Sequence, residues 1–243
     1  MLKKIILTTA LAAGLATSAS AFDAEIEGDL SVGYFSKYIW RGQAINDESV
    51  IQTGIGFQVD KIYLNLWGNM DLTDEGEKNN FTEVDFTAEY SDSLTEGVDY
   101  TLGVIRYDFD EDAGNTNEIY GGLSFDMPLS PSFTVYRDID AIEGTYFSAG
   151  VSHSFSLGED MALDCAASLG YADSDYNLGY WGVDDSSMQD LALSASMPLA
   201  MGDWTLTPSV TYAAIMDDEL KETDAYEPDP DYIYAGISLS TTF

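Results

Sequence analysis

The chain has 243 residues, with 43 acidic against 9 basic side chains and a formal net charge of −34. Nucleic acid is excluded as a partner, because binding phosphates needs clustered Lys and Arg. A single cysteine, Cys165, and a single histidine, His153, exclude an internal disulfide and a Cys/His zinc site, and neither a metal site nor a cofactor is expected.

The amino-terminal residues have the layout of a signal peptide. Lys3 and Lys4 form a basic start, Ile5 to Ala16 an apolar run, and Ala19-Ser20-Ala21 a small-residue cleavage site. A membrane-spanning helix needs about 20 apolar residues, so this run is too short to be one. Residues 1–21 are therefore expected to be removed, leaving 22–243 as one domain.

The rest of the chain alternates apolar and polar residues over segments of roughly ten, the period of a strand with two different faces. Ala24, Ile26, Leu30, Val32 and Tyr34 share the apolar face of the first strand, with Glu25, Glu27, Asp29, Ser31 and Lys37 opposite. Ile51 to Val59 and Ile62 to Met70 mark the next two. A fourth sets Val84, Phe86, Ala88 and Tyr90 against Glu83, Asp85 and Glu89. Val98 to Val104, Ile119 to Phe125, Phe133 to Ile139 and Phe147 to Phe155 follow. The last four are Met161 to Tyr171, Leu191 to Met197, Trp204 to Tyr212 and Ile233 to Phe243. Twelve strands result, an even number as single-chain bacterial barrels have.

The connections fall into two alternating sets. Asp60-Lys61, 91–97, 128–131, 157–160 and 198–203 are short, whereas 43–49, 72–80, 108–117, 138–144, 172–188 and 215–230 are mostly longer and acidic. Short periplasmic turns and long outer loops produce this sorting. Aromatics follow the same two levels, with Tyr90, Tyr100, Phe125, Phe133, Phe155, Trp204 and Phe243 near the short turns and Tyr34, Tyr171 and Tyr212 near the long loops. An open sheet in lipid would leave unpaired backbone groups at its edges, so the sheet must close. The expected fold is an all-β, closed antiparallel transmembrane barrel in the outer membrane of a Gram-negative cell, with lipid against its apolar face.

Ser36-Lys37-Tyr38-Ile39-Trp40-Arg41-Gly42 resembles the early Tyr-x-x-Arg-Gly segment of the TorF family of porins, with Tyr38, Arg41 and Gly42 at the motif positions. The resemblance implies passage of small solutes. The end, Ser240-Thr241-Thr242-Phe243, resembles the carboxy-terminal signal of outer-membrane barrels, which implies recognition of the last strand by the barrel-assembly machinery. Phe243 matches the terminal aromatic, and Thr241 departs from the usual apolar residue.

Twelve strands leave a lumen of about 10 Å once side chains are counted. Strand parity points Glu27, Asp29, Glu83 and Asp85 inward, and Lys37 and Arg41 with them if the first strand continues in register. A passive, cation-preferring channel is the expected function. In it Arg41 is either a local positive spot that orients solutes or the partner of a carboxylate that pins the first outer loop. The alternative is a non-conducting surface protein for adhesion or receptor work, with Tyr176, Tyr180, Trp181 and Tyr226 in the outer loops. A lipid-acting barrel enzyme is more remote, because His153 shares its face with Val151 and Phe155 while Ser152 and Ser154 face the other way. Asp108 to Asp112 lacks the spacing of an EF-hand and reads as a solvated loop.

Overall fold

The computed structural model describes residues 26–73, 79–109, 114–158, 161–223 and 230–243. The expected signal peptide, the run 110–112 and Tyr226 lie outside them.

The strands are β1 (Ile26–Phe35), β2 (Tyr38–Trp40), β3 (Gln43–Asn46), β4 (Val50–Val59), β5 (Ile62–Asp71), β6 (Phe81–Thr95), β7 (Val98–Phe109) and β8 (Asn115–Phe125). Next come β9 (Ser132–Asp138), β10 (Thr145–Ser156), β11 (Ala162–Ala172), helix α1 (Ser174–Trp181), β12 (Ser187–Ser196) and β13 (Leu199–Met201). The chain ends with β14 (Trp204–Ile215), helix α2 (Asp218–Lys221) and β15 (Asp231–Thr242). Neither helix is long and apolar enough to cross a membrane.

All wall strands pair antiparallel with their sequence neighbours, and the sheet closes where Ser31 of β1 lies opposite both Gly54 of β4 and Ser240 of β15. β13 continues the line of β12 after an interruption at Met197-Pro198, so the wall has twelve staves. Met197 still donates its amide to the Pro208 carbonyl, which keeps the stave attached across the break.

The distribution of side chains is inside-out for a protein in water. Leu30, Val32, Leu102, Val104, Ile119, Leu193, Val210 and Ile237 are exposed on the outer face, while Asn69, Asp71, Glu83, Glu118, Asp138, Gln189 and Asp190 are buried. A continuous apolar outer band of this kind needs an apolar solvent. Aromatic neighbours flank it at the short-turn end, where Tyr90 meets Tyr100, Phe125 meets Phe133 and Phe57 meets Phe243, and Phe147 meets Tyr171 at the other.

β6 and the first strand depart from the sequence expectation. β6 runs on to Thr95, so the connection expected over 91–97 shrinks to Glu96-Gly97, with Gly97 at φ 75°. The first strand does not continue to Arg41 but ends at Phe35. The chain then turns back into the barrel as a second hairpin, β2–β3, with Trp40 opposite Gln43. Arg41 (φ 48°) and Gly42 (φ 80°) form its two-residue turn. Positive φ at both central positions is what a type I′ hairpin turn requires, and glycine reaches it without strain.

Candidate functional site: the lumen and its inward hairpin

The hairpin tip touches the wall on several sides. Tyr38 packs its ring 5.6 Å from that of Trp67 on β5. Gln189 on β12 donates to the Arg41 carbonyl at 2.8 Å. A Cβ on Gly42 would fall 2.6 Å from Ile215 Cδ1 and 2.8 Å from Asp190 Cβ, so only glycine fits the tip there.

The Arg41 guanidinium is the centre of this packing. Nη1 and Nη2 donate to the two carboxylate oxygens of Glu118 on β8, each at 2.8 Å. Tyr107 donates its hydroxyl to the same carboxylate at 2.9 Å. The rings of Tyr136, Trp40 and Tyr146 lie 4.3, 4.4 and 4.4 Å from the guanidinium carbon. Arg41 Nη1 also reaches the Tyr176 hydroxyl of α1 at 3.2 Å. With 9% and 1% of their side chains exposed, Arg41 and Glu118 have left water together. Arginine suits this place, because its planar fork matches a carboxylate and its faces stack on aromatic rings.

Helix α1 closes over the hairpin. Asp173 caps its first turn by accepting from the amide of Tyr176, and it accepts from the amide of Thr145 as well. Burial disfavours the charge of this carboxylate, but those hydrogen bonds and Arg137 outweigh burial and hold its pKa below the usual value. Gly182 in the left-handed conformation ends the helix. Tyr176 is fully buried against Tyr146 and Ala172, with Trp40, Tyr136 and Tyr180 around them.

Below the hairpin the lumen opens. A cavity of about 350 Å³ is lined by Trp40, Tyr107, Tyr136, Tyr146, Asp190 and Tyr234, among others. It shares Ser148, Ser168 and Ala192 with a second space of about 250 Å³ that continues along Ser132, Ser152 and Ser194. Gly170 makes room for the Tyr146 hydroxyl, which donates to Asp190 at 2.8 Å.

The expected site residues are spread over the lumen rather than gathered. Glu27 is exposed at the short-turn rim, opposite Gln58. Asp29 accepts from the Tyr63 hydroxyl at 3.1 Å. Lys37 donates to the Asp47 carbonyl and lies 5.8 Å from the Tyr232 ring centre. Glu83 and Asp85 point inward from β6 beside Tyr38 and Trp67, and Glu83 is 4% exposed. Phe243 exchanges both backbone hydrogen bonds with Gly28 and lays its ring over that glycine. His153 is exposed on the outer face 4.5 Å from the Phe155 ring, while Ser152 lines the lumen.

Nothing in the local sequence singles out Glu118, Tyr107, Tyr136, Tyr146 or Asp190. Parity with Ile119 points Glu118 inward, but nothing local links it to an arginine 77 positions away. Asp190 lies within an irregularity of the β11–β12 pairing, where Gln189 and Asp190 fall between the Met188–Tyr171 and Leu191–Leu169 pairs.

The family model described as "Bacterial protein of unknown function (Gcw_chp)" matches residues 16–227. No curated protein matches the chain. Among solved structures, the KdgM porin in complex with disordered oligogalacturonate has a TM-score of 0.55 at 9% identity, over 89% of this chain and 99% of its own. The NanC porin has 0.54 at 13% identity, over 88% and 98%. LpxR from Salmonella typhimurium has 0.51 at 9% identity, over 88% and 100%. At such identities the likeness is one of fold.

Proposed function

The chain belongs to the Gcw_chp family of bacterial proteins of unknown function, and we propose that it is an outer-membrane porin that passes small solutes and prefers cations. The observation that carries this reading is the Arg41–Glu118 pair. An inward arginine would have been the lumen's main positive spot, and Glu118 neutralises it. Asp29, Glu83, Asp85, Glu89, Asp164 and Asp190 are left as inward carboxylates, so a cation meets an attractive potential along its path. The KdgM porin was solved with oligogalacturonate, a polyanion. The same carboxylates disfavour such a solute here.

The apolar outer band, the signal-like amino terminus and the terminal Phe243 support export and insertion by the barrel-assembly machinery. The likeness of Tyr38, Arg41 and Gly42 to the TorF-type porin motif is consistent with a channel. The short-turn end is then periplasmic and the long-loop end extracellular.

A reversal-potential measurement on the purified barrel in a salt gradient tests the reading. Cation selectivity that weakens as salt rises is expected, since screening shortens the reach of the lumen charges. Anion selectivity would overturn it. A second reading, a non-conducting surface protein, is favoured by the hairpin folded into the long-loop end of the lumen with α1 packed on it, and absence of conductance would select it.

A further inference from the structure

The 350 Å³ chamber beneath the hairpin has the chemistry of a ligand site as well as of a passage. Its volume is at the lower end of small-molecule pockets, room for a solute of amino-acid size. Aromatic rings form much of its wall, through Trp40, Tyr107, Tyr136, Tyr146 and Tyr234. Asp190 adds a carboxylate that is 4% exposed and fixed by the Tyr146 hydroxyl at 2.8 Å. Among the described residues no Lys or Arg forms an ion pair with Asp190; Arg41 also lines the chamber and its charge reaches Asp190, but its hydrogen-bonding fork is taken up by Glu118, which leaves Asp190 without a directly bound cation.

The protein itself shows what this wall can hold. Tyr136 and Tyr146, which line the chamber, already stack on the Arg41 guanidinium at 4.3 and 4.4 Å. A ring's negative face attracts a cation on either side, and a desolvated carboxylate adds a directed charge. The chamber continues through Ser148 and Ser168 into the space below, so a solute in the short-turn half can reach it.

We propose that the chamber binds a small organic cation of the guanidinium or alkylammonium class, with Asp190 as its counter-ion and the tyrosine rings as its walls. The proposal extends the cation-preferring reading of the lumen to a named site. Anions are rejected by Asp190, and neutral isosteres lose the charge term while keeping the shape.

Calorimetric titration of the full, detergent-folded barrel with butylguanidinium and with its neutral isostere butylurea tests binding apart from conduction. Butylguanidinium should bind at least tenfold more tightly than butylurea. Asp190→Asn, which keeps an acceptor for Tyr146, should remove most of that difference. Tyr234→Leu, away from the Arg41 cluster, should weaken butylguanidinium several-fold. Equal affinities for the two probes, or a difference that survives Asp190→Asn, would overturn the site. Should Asp190→Asn fail to fold, an unchanged affinity in Tyr234→Leu overturns it. Current recordings with the same probe separate the two claims. A barrel that binds butylguanidinium without conducting refutes the porin reading alone, and one that conducts cations without binding it refutes the site alone.

Discussion

Removing the Arg41 guanidinium would strand the Glu118 carboxylate, which keeps only Tyr107 as a hydrogen-bond partner among the contacts described above. Breaking one partner out of a buried pair costs about 3–5 kcal/mol, because the other charge stays desolvated. Arg41→Ala should lose stability of that order in urea titrations of the barrel in lipid vesicles. The double variant R41M/E118L should lose much less, since no charge is left behind. Tyr107→Phe removes one hydrogen bond to a charged group and should cost about 1.5–3 kcal/mol. At this scale the sequence directs Arg41 inward only if the first strand continues in register, whereas that strand ends at Phe35 and a separate hairpin carries Arg41. The sequence could not show the partner, because the pair is made by two segments that meet only after the barrel closes.

The hairpin β2–β3 is the element that decides how much of the lumen is free. Its turn needs Gly42 twice, once for φ 80° and once for the space beside Ile215 and Asp190. Gly42→Ala should displace the tip, with a rise in single-channel conductance and a loss of stability in the same variant. Unchanged conductance would show that the tip does not limit the passage. Helix α1 depends on Asp173, and replacing an N-cap aspartate by alanine costs about 0.5–2 kcal/mol. The depressed pKa of Asp173 adds a pH dependence. Its contribution is full above the ordinary aspartate pKa of about 3.9 and fades as the pH falls through the lower folded value. Amide exchange across 174–181 should therefore accelerate under strong acid, and this extra acceleration should vanish in Asp173→Ala. Alternation over 26–34 predicts β1 well, because one face meets lipid and the other the lumen. The same alternation misleads beyond Phe35, since a segment folded inside the barrel has no lipid face to impose it.

For the whole molecule the two environments set the cost of substitution. Leu193 is 45% exposed on the outer face, whereas Asn65 points inward and hydrogen-bonds the Tyr63 hydroxyl at 3.2 Å. Leu193→Lys should cost about 2–4 kcal/mol near the membrane midplane. Asn65→Lys should cost clearly less, because its charge stays in a wet lumen. Equal losses in vesicle unfolding experiments would contradict the face assignment. The sequence by itself determined the strand period, the twelve staves, the sorting of short and long connections and the apolar outer face, all of which follow from local alternation against a lipid boundary. Tertiary structure alone decided that the first long loop turns inward, that Arg41 is neutralised by Glu118 and that Asp190 faces an aromatic chamber. Those contacts join residues far apart in sequence, and their geometry exists only once closure of the sheet brings opposite walls within reach of one hairpin.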